Sequence, residues 1–171
     1  MENKLIILRG PSASGKTTVA KKLFELAKNK VVLIQQDYYR FIFKPAGGGS
    51  KSNSKTVHKM IEHNVSIALK SGYDVILEGI LSVRSYQDIL ERIINSHQGK
   101  SYIFYFDISF EEKVQRHKAK GNLDYGEKEM EQWYPGAHKS NHELETIIPE
   151  TYSINQIINK IIETSKLETK P

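Results

Sequence analysis

The stretch GPSASGKT, residues 10–17, constrains this chain more than any other. It fits G-x-x-x-x-G-K-[ST], a glycine-rich loop whose backbone N–H groups turn inward around phosphate oxygens. Before it stands KLIILR, residues 4–9, an apolar run with the length of a buried strand. After it, Val19, Leu23, Leu26 and Ala27 recur at helical spacing. A strand, a glycine loop and a helix in that order set the positive end of a helix against the loop. Gly10 and Gly15 permit backbone geometry and close approach that a side chain would block. Lys16 is expected to reach the β- and γ-phosphates of a bound nucleotide, and the Thr17 hydroxyl to ligate Mg²⁺. Pro11, Ser12, Ala13, Ser14 and Thr18 complete the loop and the first turn of the helix.

The rest of the chain alternates between two periodicities. VVLIQQ (31–36), YDVILEG (73–79), SYIFYFD (101–107) and ETIIP (145–149) read as strands. Helices are expected over Thr56–Ser71, with Val57, Met60, Ile61, Val65 and Ala68 inward, and around Tyr86, Ile89, Leu90, Ile93 and Ile94. A closing helix carries Ile154, Ile157, Ile158, Ile161 and Ile162, and the tail after Ser165 is expected to fray. Ser109 followed by Glu112 has the form of a capping box, so a helix carrying Val114 and Arg116 should start there and fade near Gly121. KPAGGGSKSNSK (44–55) reads as a loop, and 121–143 is polar. Strands alternating with helices predict an α/β fold: a five-stranded parallel sheet with helices on both faces. A length of 171 residues fits one domain, 1–171.

Composition narrows the function classes. The absence of cysteine excludes a disulfide framework and thiolate metal sites. No apolar run reaches the length of a membrane span, and the N-terminus is a poor signal peptide, so a cytoplasmic protein without a membrane partner is expected. The net charge of +5 favours anionic partners, but the lysines are scattered, as on a solvated surface. Nothing in the sequence speaks to oligomeric state.

Ligands of open parallel sheets collect at the carboxyl ends of the strands. The 10–17 loop, Asp37, Glu78 and Asp107 all fall at such ends. Asp37 can accept the proton of an attacking hydroxyl, and Arg40, three residues on, can clamp an anionic group. Their plainer readings are a turn residue and a solvated charge. Glu78 suits either the water shell of Mg²⁺ or an exposed strand end. Asp107 suits a helix cap better than a metal. Tyr38, Tyr39, Phe41 and Phe43 can wall an acceptor pocket or pack the helix that follows Asp37. Arg84 reads as a surface charge and His117 as a lid surface residue. Trp133 and Tyr134 can cover a bound group or anchor the lid connection. The histidines lack metal spacing.

On GPSASGKT, on Asp37-Tyr-Tyr-Arg40 and on Arg116 after DISFEEKVQ, the chain resembles the small P-loop kinases, the AAA_33 and zeta-toxin-like group. It is similar in pattern to the kinase domain of 5′-hydroxyl polynucleotide kinases and to chloramphenicol phosphotransferase. The resemblance implies a P-loop NTPase fold, ATP and Mg²⁺ as cofactors, and Asp37 as general base. It implies that Arg40 holds the acceptor and that Arg116 and Lys120 cover the ATP phosphates from a small lid over about 109–140. A lysine at 120 offers a point charge where polynucleotide kinases carry a planar arginine. The expected activity is transfer of the ATP γ-phosphate to a hydroxyl of a small-molecule acceptor. A nucleic-acid 5′-hydroxyl end is the alternative acceptor. A nucleotide-dependent switch or ATPase acting on a protein partner is the alternative class.

Overall fold

The computed structural model describes residues 2–43, 54–119, 121, 126, 128, 131, 140 and 142–170. Among these, five strands and six helices follow one another as β1 (Lys4–Arg9), α1 (Lys16–Leu26), β2 (Val31–Gln35), α2 (Gln36–Phe41), α3 (Ser54–Lys70), β3 (Asp74–Gly79), α4 (Val83–Ser96), β4 (Lys100–Asp107), α5 (Phe110–Ala119), β5 (Glu145–Pro149) and α6 (Ile154–Ser165). The strands form one parallel sheet in the order β2-β3-β1-β4-β5. The α/β P-loop architecture expected from the sequence is the one observed.

β1 lies at the centre because its residues are apolar on both sides. Leu5 and Ile7 point into one core with Val75, Leu77 and Ile103, under α3 and α4. Ile6 and Leu8 point into the other with Ile76, Phe104 and Phe106, under α1 and α6. This is the period of two of a pleated strand, filled with hydrophobic residues on both faces because helices cover both. α6 contributes Ile157, Ile158 and Ile161, all buried. Removing three such side chains from water is worth about 1.5–3 kcal/mol each.

Several boundaries differ from the sequence reading, for local reasons. β2 stops at Gln35, and Gln36 already belongs to α2. Leu26 is exposed, because α1 ends there and Ala27 takes the buried position instead. The capping box at Ser109 is only half made. Glu112 N–H donates to Ser109 Oγ, but the Glu112 carboxylate turns to Arg116, and the Ser109 N–H goes to Glu150 Oε2. A complete capping box stands at Ser153, whose Oγ accepts from Gln156 N while Gln156 Oε1 accepts from Ser153 N. His117, expected on the surface, is buried.

The tail after Ser165 is not frayed. Lys166 turns the chain at φ 54°, and Thr169 bridges antiparallel to Ala27. Lys28 N–H donates to the Glu168 carbonyl and Lys170 N–H to the Leu26 carbonyl, while Leu167 is buried beneath α1. Leu167→Ala should therefore cost about 2–5 kcal/mol in urea unfolding. A change under 0.5 kcal/mol, the size expected of an exposed residue, would show that the tail does not dock.

Candidate active site

The loop that leaves β1 is shaped by two glycines with different tasks. Gly10 has φ 145°, and a Cβ there would stand 2.7 Å from the Phe106 carbonyl oxygen on β4. No side chain fits so close an approach. Gly15 has open space around it but a φ of 93°, a left-handed conformation that opens α1. Ala13, at φ 61°, adds a second left-handed residue to the loop. Alternation of this kind turns successive N–H groups to the inside, as a nest for anions needs.

Lys16 is buried despite its charge. Its Nζ lies folded along the loop, donating to the Pro11 carbonyl at 2.6 Å and to Ser14 Oγ at 3.0 Å. Thr17 Oγ1 donates to Glu78 Oε1 at 3.1 Å, and Gln35 Nε2 donates to the same oxygen at 2.9 Å. Glu78 is thus not an exposed strand-end acid. It is a buried carboxylate that ties the first turn of α1 to the exit of β2. Hydroxyl and carboxylate oxygens side by side are the hard ligands that Mg²⁺ takes.

Beyond Gln35 the chain turns into α2, which places Asp37 in its first turn and Arg40 in its last. Arg40 Nη1 donates to Asp37 Oδ1 at 3.0 Å, with side-chain exposures of 41% and 59%. An ion pair as open as this is worth less than about 1 kcal/mol, so either partner can turn to a ligand at little cost. Tyr39 accepts a hydrogen bond from Asn64 Nδ2 and packs against the core with Phe43, whereas Tyr38 and Phe41 stand in solvent. The four aromatic residues therefore divide: two pack, and two face outward beside the Asp37–Arg40 pair.

Arg116 reaches the loop from α5. Its Nη1 donates to the Ser14 carbonyl at 3.3 Å, its Nη2 to the Glu150 carbonyl at 3.1 Å and its Nε to Glu112 Oε1 at 2.6 Å. One guanidinium so joins the phosphate loop, the turn after β5 and its own helix. Glu150, which accepts twice from Ser109, has its carboxyl held below the usual range by those bonds. Lys113, one turn earlier, is buried, and loss of hydration pushes its ammonium below the usual lysine range. Arg84 is exposed at the start of α4. Lys120, Trp133, Tyr134 and most of the lid beyond Ala119 lie outside the described residues. Among the described residues, no group of three or more His, Asp or Glu side chains is placed to hold a metal ion, and no helix is long and apolar enough to cross a membrane.

Polar residues that the sequence reading passed over stand close by. Arg9 is buried, paired with Glu145, stacked over the Tyr105 ring at 5.2 Å and bonded through Nε to the Leu81 carbonyl. Gln36 is buried and accepts from Leu81 N–H. Tyr86 packs its ring edge-on against His58 at 4.2 Å. Burial raises the Tyr86 phenol above the usual range, against the opposing effects of a hydrogen bond from Gln36 and of Arg40. The signal available in the sequence was positional: a charge closing an apolar strand directly before Gly10, and two glutamines directly before Asp37.

Comparison with known proteins follows this geometry. The profile of the AAA_33 family, an AAA domain, matches residues 5–135. A tRNA dimethylallyltransferase of Malacoplasma penetrans (strain HF-2) is 26% identical over 103 residues, 60% of this chain; the chain spans only 31% of the length of that curated relative. Among solved structures, the tunicamycin resistance protein of Deinococcus radiodurans superposes with a TM-score of 0.70 at 13% identity, covering 99% of both chains. A gluconokinase of Sinorhizobium meliloti 1021 gives 0.67 at 14% identity, covering 96% of this chain and 95% of that one. A chain of the Pnkp1/Rnl/Hen1 RNA repair complex gives 0.58 at 24% identity, covering 99% of this chain and 47% of that one. At these identities the likeness is one of fold.

Two histidines, His58 beside Tyr86 and His97 at the entry to β4, carry a pH dependence. Burial holds the His58 and His97 imidazoles below their ordinary value of 6.5. The unfolded chain takes up those protons as the pH falls through about 6.5, and the folded chain takes them up only lower down. The stability they contribute is therefore present above that pH and lost below it. The urea midpoint should fall from pH 7 to pH 5, and less steeply in His58→Asn. Equal slopes in variant and wild type would remove His58 as a cause.

Proposed function

The chain belongs to the AAA_33 family, an AAA domain, and from that premise we propose that it is a kinase moving the γ-phosphoryl group of ATP to a hydroxyl of a small-molecule acceptor. One observation carries the reading. Glu78 binds both Thr17, at the phosphate loop, and Gln35, two residues before Asp37, so a phosphate cradle and a carboxylate base share one sheet edge. A switch or an ATPase acting on a partner keeps the cradle but needs no acceptor pocket beside Asp37 and Arg40.

The residues present fit the expected cofactors. The loop N–H groups and Lys16 suit the phosphates of ATP, and Thr17 with Glu78 suits Mg²⁺, directly or through its water shell. Mg²⁺, when bound, neutralises charge on the β- and γ-phosphate oxygens. Lys16, now folded onto Pro11 and Ser14, exchanges those bonds for phosphate oxygens. Asp37 takes the proton of the acceptor hydroxyl as its oxygen bonds to the γ-phosphorus, and the bond from that phosphorus to the β,γ-bridging oxygen breaks to release ADP. Arg40 holds the acceptor beside Asp37 and fixes its approach. Arg116, bonded to the Ser14 carbonyl, keeps a cation at the edge of the loop where charge builds up.

A nucleic-acid 5′-hydroxyl end is the second acceptor class. It is favoured by Arg40 beside Asp37, a cation that suits a phosphate next to the reacting hydroxyl, and by the net charge of +5. The scattered lysines favour the small molecule.

The test is transfer from γ-labelled ATP with Mg²⁺ to a panel of nucleosides, sugars, amino-sugars, alcoholic and phenolic antibiotics, 5′-hydroxyl RNA and DNA, and tRNA. A labelled acceptor is expected, and Asp37→Asn should lower its formation by at least about 100-fold while leaving ATP affinity within twofold. Full turnover in that variant would remove Asp37 as the base. Slow phosphate release that no acceptor captures and a protein partner accelerates would move the protein to the switch class.

A further inference from the structure

The connection from β3 to α4 contains a residue held in an unusual way. Leu81 is fully buried with φ 41°, a left-handed conformation that a leucine seldom adopts. Both of its backbone polar groups are taken by side chains from the two halves of the site. Its N–H donates to Gln36 Oε1 at 3.2 Å, and its carbonyl accepts from Arg9 Nε at 3.2 Å. Arg9 directly precedes Gly10, the first residue of the phosphate loop. Gln36 directly precedes Asp37 and opens α2.

Both side chains are themselves fixed. Arg9 donates to Glu145 Oε1 across β4, and the other oxygen of Glu145 accepts from the N–H of Ser140. Gln36 lies flat on Gly79: a Cβ there would stand 2.4 Å from Gln36 Oε1 and 2.5 Å from Gln36 Cβ. The two bonds to Leu81 are buried, so no water competes for them, and leaving either unmade would be costly. The Asp37–Arg40 pair, by contrast, is open to solvent and cannot by itself hold α2 in place.

We infer that Arg9, Leu81 and Gln36 form a bridge that registers α2, and with it Asp37, against the phosphate loop. The inference rests on the kinase reading for its purpose, since it makes Gln36 and Arg9 positioning residues for the base. It does not rest on that reading for its test. Bound nucleotide settles the phosphate loop, and the bridge passes that settling on to α2.

Hydrogen exchange of peptides covering α1 and α2, with and without Mg·ADP, tests this in wild type, Gln36→Met and Gly79→Ala. Gln36→Met keeps the shape and removes the acceptor oxygen, and Gly79→Ala displaces Gln36 without altering it. In wild type, Mg·ADP should slow exchange of both helices at least threefold. In each variant α1 should still be slowed and α2 should not. Transfer should fall at least tenfold in kcat, with KM for ATP within twofold. A residue of merely structural importance would lower the melting temperature and scale every activity down together. No slowing of α2 in wild type, or equal slowing of α2 in wild type and the variants, would overturn the bridge. A protein that shows the exchange pattern but phosphorylates nothing would keep the bridge and lose the kinase reading.

Discussion

The site depends on β1 being held at the centre of the sheet. Leu5, Ile6, Ile7 and Leu8 are wholly withdrawn from water, with β3 on one edge, β4 on the other and helices over both faces. A strand fixed on four sides leaves the chain few ways to go at its end. Here it exits across Phe106, at a distance only glycine can occupy, and turns directly into the loop. Catalysis by positioning needs donors that do not move when charge develops. The phosphate loop starts from this enclosed strand, so its origin at Gly10 is fixed.

The same rigidity explains a buried charge that would otherwise look wasteful. Arg9 and Glu145 are almost fully enclosed. Withdrawing two ions from water offsets most of what their attraction contributes, so such a pair is weak evidence for stability. Its value lies in direction. The guanidinium is planar and offers five donors. One goes to β5 and one to the β3–α4 connection, while the ring of Tyr105 supports its face. An apolar residue of the same volume could fill the space but could not choose among orientations of three separate segments.

What the sequence made legible follows from which interactions are local. The glycine loop, the alternation of strands and helices and the two-sided burial of β1 are written in adjacent residues, and these gave the fold. The Thr17–Glu78 contact joins residues 61 apart, and Arg9–Glu145 joins residues 136 apart. No spacing rule reaches so far. Some misreadings have the same origin. Ser109 and Glu112 carry the letters of a capping box, but Glu150, 41 residues away, claims the Ser109 N–H. The tail after Ser165 is polar and short, yet Ala27 and Lys28, just after α1, pair with it. Gln36 looked like the last residue of a strand because its partner, Gly79, is visible as a partner only in three dimensions.

The two halves of the candidate site are built to different standards, and the difference bears on what the chain can accept. On the phosphate side, Ser14, Lys16 and Glu78 are buried, Lys16 bonded to Ser14 and the Pro11 carbonyl, and Glu78 to Thr17 and Gln35. On the side proposed for the acceptor, Asp37, Tyr38 and Phe41 are exposed and Arg40 is half-buried. A buried polar constellation admits one geometry, because each displaced bond leaves an unpaired group behind. An exposed one can rearrange for little cost, since water replaces whatever is lost. On the proposed reading, tight construction goes with the ligand that does not vary, the nucleotide phosphates, and loose construction with the acceptor, which distinguishes one kinase from another. This is why the fold and the cradle say so much about the donor and so little about the acceptor. It is also why α2 needs an anchor beneath it, at Gln36, if the base it carries is to meet the phosphate in register.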